Sequence, residues 1–122
     1  MEPFGIEKPI IGVIHLLPLP GSPKGQSFDS VLKRAVSEAL ILEEGCVDGL
    51  IIENFGDAPY VKDNASPETI AFMTAIAKEI SMSVSLPLGI NILRNCVDSA
   101  IAVAAATGGK FVRANVWVGV YI

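Results

Sequence analysis

Four short apolar runs, each closed by a polar residue, recur along the chain: Ile-Gly-Val-Ile-His15, Leu-Ile-Ile-Glu53-Asn54, Leu-Gly-Ile-Asn91 and Phe-Val-Arg113-Ala-Asn115. Runs this short, β-branched and apolar read as buried strands. Segments with helical periodicity separate them. Val31, Leu32, Ala35, Val36, Ala39, Leu40 and Leu42 form one stripe across 28–44, stopped by Gly45. Ser66-Pro67-Glu68 is a helix start, with a hydroxyl cap, proline at the first helical position and an acid at the positive end of the dipole. Ile70, Met73, Ile76, Ala77 and Ile80 supply its buried stripe. Asn95 is expected to cap a third helix with Asp98 in its first turn. Its stripe is Val97, Ala100, Ile101, Ala104 and Ala105, ended by Gly108 and Gly109.

Strands are therefore expected at 10–15, 49–53, 86–92 and 111–118. Strand and helix in alternation imply a parallel sheet with right-handed crossovers. Alternate residues of a strand face opposite ways. One set holds Ile14, Ile52, Ile90, Ile92, Val112, Ala114 and Val116; the other holds His15, Glu53, Asn91, Arg113 and Asn115. Polar residues confined to one face fit a barrel lumen near its mouth. An open sheet covered by helices on both faces would bury them.

The expected fold class is thus α/β, a partial (β/α)8 TIM barrel of about four β/α units with parallel strands. A full barrel takes roughly 250 residues, and the chain has 122. The whole of 1–122 is read as the N-terminal half of a TIM-barrel domain. Half a barrel leaves two strand edges unpaired and a lumen wall open. Either a C-terminal half completes it, or two copies associate as a homo-oligomer.

Charge narrows the partners. The net charge is −4 and the nine Lys and Arg are scattered, which argues against nucleic acid. Cys46 and Cys96 have no metal-ligand spacing and suit a reduced, intracellular protein. Cys96 lies near a helix start, where a thiolate is favoured; the plainer reading is a small hydrophobe. The start Met-Glu-Pro-Phe-Gly-Ile-Glu-Lys has no signal-peptide pattern, and the run 9–19 is too short to span a bilayer. Cytoplasmic location follows by default, with peripheral membrane association left open. No motif assigns a cofactor.

His15, Glu53, Asn91 and Asn115 are the candidate catalytic residues. Histidine titrates near neutral pH and serves as acid, base or ligand, or simply as a hydrogen-bonded strand end. Glu53 leaves a buried strand directly. With Asp57 it could bind a divalent cation or divide acid and base roles, while Asn54 and Gly56 also suit a plain tight turn. Asn91 and Asn115 need partners if buried. Asp57, Arg94 and Arg113 are the candidate substrate-binding residues; the two arginines suit phosphate or carboxylate. Arg113 could equally pair with Glu53. The Pro/Gly-rich segment 18–25 is an ordinary loop or a lid, and it lacks the P-loop order.

Several segments together resemble the BtpA/SgcQ family across nearly the whole chain. They are Lys8-Pro9-Ile-Ile-Gly-Val-Ile-His15-Leu-Leu-Pro-Leu-Pro-Gly21-Ser-Pro23, Glu43-Glu-Gly45-Cys-Val-Asp48-Gly49 and Glu53-Asn-Phe-Gly-Asp-Ala-Pro59. To these add Leu88-Gly-Ile-Asn91-Ile-Leu-Arg94-Asn95, Ala104-Ala-Ala-Thr-Gly108 and Phe111-Val-Arg113-Ala-Asn115-Val. The resemblance implies a phosphate-binding type of TIM barrel. It also implies a role in accumulation or stability of photosystem I, with loose attachment to the cytoplasmic face of a membrane. Similar proteins occur in organisms without photosystems, so that role is not general. By position, His15, Glu53, Asn91, Arg94, Arg113 and Asn115 map to the family's motif residues. The alternative is an enzyme acting on a small phosphorylated or sugar-like metabolite through acid–base chemistry at His15 and Glu53. A third reading is a non-catalytic remnant.

Overall fold

The structure, a computed structural model, describes residues 2–57, 64–116 and 118. Its elements alternate in chain order. They are β1 (Ile11–His15), α1 (Phe28–Glu44), β2 (Gly49–Glu53), α2 (Pro67–Ser83), β3 (Leu88–Asn91), α3 (Val97–Thr107) and β4 (Phe111–Val112). A single 3-10 turn, Phe55–Asp57, follows β2.

The four strands lie side by side in the order β1-β2-β3-β4, all parallel. Sequential order with no reversal is the winding of a barrel wall, whereas a doubly wound sheet reverses at a switch point. The fold is that of a partial (β/α)8 barrel.

Register explains how the two faces divide. Ile14 pairs with Ile52, Ile52 with Ile90, and Ile90 with Val112. These residues turn toward the helices. Ile14, Ile52 and Ile90 are fully buried in one core with Val31, Ala35 and Ala39 of α1, Met73, Ile76 and Ile80 of α2, and Ala100 and Val103 of α3. Burying each large aliphatic side chain contributes about 1.5–3 kcal/mol, so this layer holds the fold together.

The opposite face is the lumen wall. Two glycines on it make room for aromatic rings at its N-terminal end. A Cβ on Gly49 would lie 2.6 Å from the Phe4 ring, and one on Gly89 only 2.1 Å from that of Phe111. The two rings meet edge to face at 5.1 Å. The chain start thus forms a floor that the strand pattern alone did not foretell. Above the floor the wall is open: Ile11 and Val13 remain 37% and 41% exposed. An apolar concavity of about 490 Å³ is lined by Ile11, Val13, Ile51, Phe111, Val112 and Ala114, with Arg113 at its edge.

The helix limits follow local chemistry. Ser27 and Ser66 cap α1 and α2, each accepting from the backbone N–H three residues on. Gly108 ends α3 in the left-handed conformation, as its lack of a Cβ allows. Two expectations are corrected. Asn95 does not cap α3: its φ is +59°, Cys96 holds the cap position, and the Asn95 side chain instead accepts from Val116 N–H at 2.9 Å. Asparagine tolerates that conformation, so its side chain is free to tie the following strand segment. The fourth strand is shorter than 111–118. β3 ends at Asn91, leaving Ala114 to Val116 no neighbour to pair with. The expected strand residue 117, and 58–63 of the polar loop, lie outside the described residues. Among the described residues, no helix is long and apolar enough to cross a membrane.

Candidate functional site

The same register that buries Ile14, Ile52 and Ile90 carries the next residues, His15, Glu53 and Asn91, onto the lumen face side by side. They stand at the C-terminal ends of their strands, where barrel sites are built. Glu53 is the centre. It is 5% exposed, yet its carboxylate has three neighbours. Asn91 Nδ2 donates to Oε2 at 2.7 Å, Arg113 Nη1 is 3.6 Å from the same oxygen, and His15 Nε2 is 3.8 Å from Oε1.

These contacts differ in kind. The Asn91 bond is short and buried, so it fixes the carboxylate in place. The Arg113 and His15 side chains are more than half exposed, so these ion pairs contribute little to stability and the groups stay available to a ligand. At 3.8 Å the His15 contact is longer than a hydrogen bond. The imidazole is held mainly by stacking on Phe55, with ring centres 4.4 Å apart. A carboxylate locked on one oxygen beside a half-exposed imidazole and a guanidinium can accept, deliver or orient a proton on a bound molecule. Among the described residues, Asn91 Oδ1 is buried without a donor. Such an atom costs about 1–3 kcal/mol, a cost more often tolerated at functional sites than in plain cores.

Asp57 does other work. It is 8% exposed, and its Oδ1 accepts from Leu19 N–H at 2.7 Å, while Asn54 Nδ2 lies 3.4 Å from Oδ2. Asn54 in turn accepts from Leu93 N–H at 2.6 Å. Gly56 N–H donates to Leu16 C=O, and a Cβ at Gly56 would strike Pro18 N at 2.6 Å. These bonds clamp the loops after β1, β2 and β3 to one another. Burial pushes the Asp57 carboxyl above its usual range, opposed by hydrogen bonds from Leu19, Asn54 and Ser22. No group of three His, Cys, Asp or Glu able to hold a metal comes together among the described residues.

Beside the clamp is a cavity of about 330 Å³ between the Pro/Gly-rich loop and the start of α2. Among the described residues, Ser22, Asn54, Asp57, Ser66, Glu68 and Thr69 give it its polar lining, and no Lys or Arg lines it. Of the other candidates, Arg94 sits half-buried in the turn after β3, and Asn115 is exposed beyond the end of β4. The structure thus gathers His15, Glu53, Asn91 and Arg113. Sequence reasoning passed over Asn54 as a turn residue. Its position directly after a strand-end carboxylate was the available signal.

Parallel β/α units with a polar cluster at the C-terminal strand ends define a barrel-type α/β protein whose candidate site lies at the rim. The BtpA family model matches residues 6–122. The chain belongs to the BtpA family. It is 46% identical over 120 residues to the photosystem I biogenesis protein BtpA of Synechocystis, covering 98% of this chain and 42% of that protein. It is 50% identical over 110 residues to an uncharacterized protein of Archaeoglobus fulgidus, covering 90% of this chain and 44% of the relative. A mitochondrial uncharacterized protein of Caenorhabditis elegans is 37% identical over 112 residues, 87% of this chain and 40% of its own. The chain therefore spans less than half the length of these relatives. No solved structure matches it.

Proposed function

We propose that the rim around Glu53 binds a small hydroxyl-bearing metabolite and handles a proton on it. Glu53 is the base or acid, His15 its partner across the bound group, and Arg113 the anchor for a polar or anionic substituent. The observation that carries this reading is the Glu53 carboxylate, buried yet held by Asn91 on one oxygen and facing His15 and Arg113.

Of the ligand classes expected from the sequence, sugar-like fits better than phosphorylated. Among the described residues, the neighbouring cavity offers hydroxyls, an amide and carboxylates but no lysine or arginine. Its α2 terminus begins with Pro67, which has no N–H, and Thr69 N–H is already bonded to Ser66. A phosphate would find few donors there. Among the described residues, Arg113 and Arg94 are the cations nearer the strand ends that a phosphate could use.

A second reading rests on the name of the Synechocystis relative: a biogenesis or stability factor for a membrane complex, acting in the cytoplasm or on the cytoplasmic face of the membrane. The relatives in archaea and a nematode support a role broader than one photosystem.

A thermal-shift screen against sugars, polyols and sugar phosphates tests the first reading. A stabilising sugar or polyol whose effect disappears in Glu53→Gln and weakens in Arg113→Ala is the expected result. Stabilisation that survives Glu53→Gln, or no hit together with co-purification of a membrane complex, refutes it in favour of the second.

A further inference from the structure

The backbone around His15 is tied to the backbone that carries Phe55. Leu16, the residue after His15, donates its N–H to Glu53 C=O at 2.9 Å, and Gly56 N–H donates back to Leu16 C=O at 3.2 Å. The missing side chain of Gly56 allows that approach, because a Cβ there would lie 2.7 Å from Leu16 O and 2.6 Å from Pro18 N. Phe55 opens the 3-10 turn that contains Gly56. The turn is locked in its own right. Asp57 N–H donates to Asn54 C=O at 3.1 Å, and Asp57 Oδ1 accepts from Leu19 N–H at 2.7 Å. All of these bonds join the first two β/α units to each other.

The side chains use this frame. The His15 and Phe55 ring centres are 4.4 Å apart, with their planes only 23° from parallel. A stack covers one face of the imidazole and sets its tilt, while its edge, which carries both nitrogens, is left to other groups. Glu53 does not set that tilt. Its Oε1 is 3.8 Å from Nε2, beyond hydrogen-bond length, and Asn91 already holds the carboxylate on the other oxygen. Placement of this kind matters for proton transfer, where an error of about 1 Å can cost about 10²-fold in rate.

We propose that Phe55 is a positioning residue: its ring, carried on the braced turn, holds the His15 imidazole with Nε2 toward Glu53, so that one bound group can contact both. Phe55 acts through His15 and touches no reacting atom. Its role at the site rests on the metabolite reading, whereas the placement of the imidazole does not.

His15 is the one histidine of the chain, so NMR can follow its ring protons, with His15→Ala to assign them. The current of the stacked Phe55 ring should shift them upfield of free histidine. Phe55→Leu keeps an apolar side chain on the turn; it should lose that shift and retain its helical circular dichroism. Phe55→Tyr should keep the shift, and so should Glu53→Gln. Phe28→Leu is the control. It breaks the stack of Phe28 on Phe72, with ring centres 5.5 Å apart, and should lower Tm without moving the His15 signals. With a sugar or polyol found by thermal shift, Phe55→Leu should weaken binding about two- to ten-fold, and add no loss in a His15→Ala background. Wild-type signals at the free-histidine position, or signals unmoved by Phe55→Leu, overturn the proposal. So does a shift lost in Glu53→Gln or equally in Phe28→Leu, or a Phe55→Leu effect on binding that persists without His15. A screen without a hit removes the metabolite reading alone, because the spectra decide the placement of His15 without a ligand.

Discussion

Replacing Asp57 separates its two roles, acceptor and charge. The Leu19 N–H it accepts belongs to a residue only 2% exposed. Asp57→Ala leaves that amide without an acceptor, a penalty of about 1–3 kcal/mol. Loss of a carboxylate that burial already disfavours offsets part of it. The expected net loss is about 1–2 kcal/mol, at roughly 4 °C in Tm per kcal/mol for a chain of 122 residues. Asp57→Asn keeps an oxygen for Leu19 and removes the charge, so it should stay within about 1 kcal/mol of wild type. The pH dependence carries the sign. The folded carboxyl is raised above its ordinary 3.8, so the folded state holds the proton more tightly than the unfolded one. Asp57 therefore favours folding most at pH below 3.8, and that contribution is lost as pH rises through the folded value. Urea denaturation by circular dichroism, at one protein concentration from pH 4 to 8, reads this directly. The stability of Asp57→Asn relative to wild type should climb with pH and then level. A difference that is flat or falls with pH, or an Asp57→Ala variant as stable as wild type, refutes the reasoning.

Two further substitutions probe the scaffold. Gly89→Ala puts a methyl group where Phe111 Cε2 would be 2.1 Å away, so it should cost about 1–3 kcal/mol in urea denaturation. Combining it with Phe111→Ala should recover at least about 0.5 kcal/mol relative to additivity. Ser66→Ala removes the acceptor of Thr69 N–H and should cost about 1 kcal/mol, visible as earlier loss of helical circular dichroism on heating.

The polar residues ending the apolar runs were legible because strand periodicity is rigid. Once Ile14, Ile52 and Ile90 face the helices, His15, Glu53 and Asn91 must face the lumen. The Asp57 clamp was not legible. Leu19, which donates to Asp57, and Leu93, which donates to Asn54, are 38 and 39 residues from their acceptors and act through backbone N–H groups, which every residue type but proline carries. Nothing in composition distinguishes a carboxylate that binds a ligand from one that ties loops together. The end of β4 was misjudged for a related reason. Phe111 to Val118 is mostly apolar, broken by Arg113 and Asn115, but a strand lasts only as long as its neighbour, and β3 stops at Asn91.

By itself the sequence determined the alternation of elements, the serine-capped helix start at Ser66, and which face of each strand is apolar. Those depend on residues near one another, through spacing and local hydrogen bonds. Only the tertiary structure decided that Asn91 and Arg113 converge on one oxygen of Glu53, and that Phe4 fills the space left by Gly49. Only it showed which loops Asp57 ties. Those outcomes depend on distances between residues far apart in the chain, and strand pairing sets those distances.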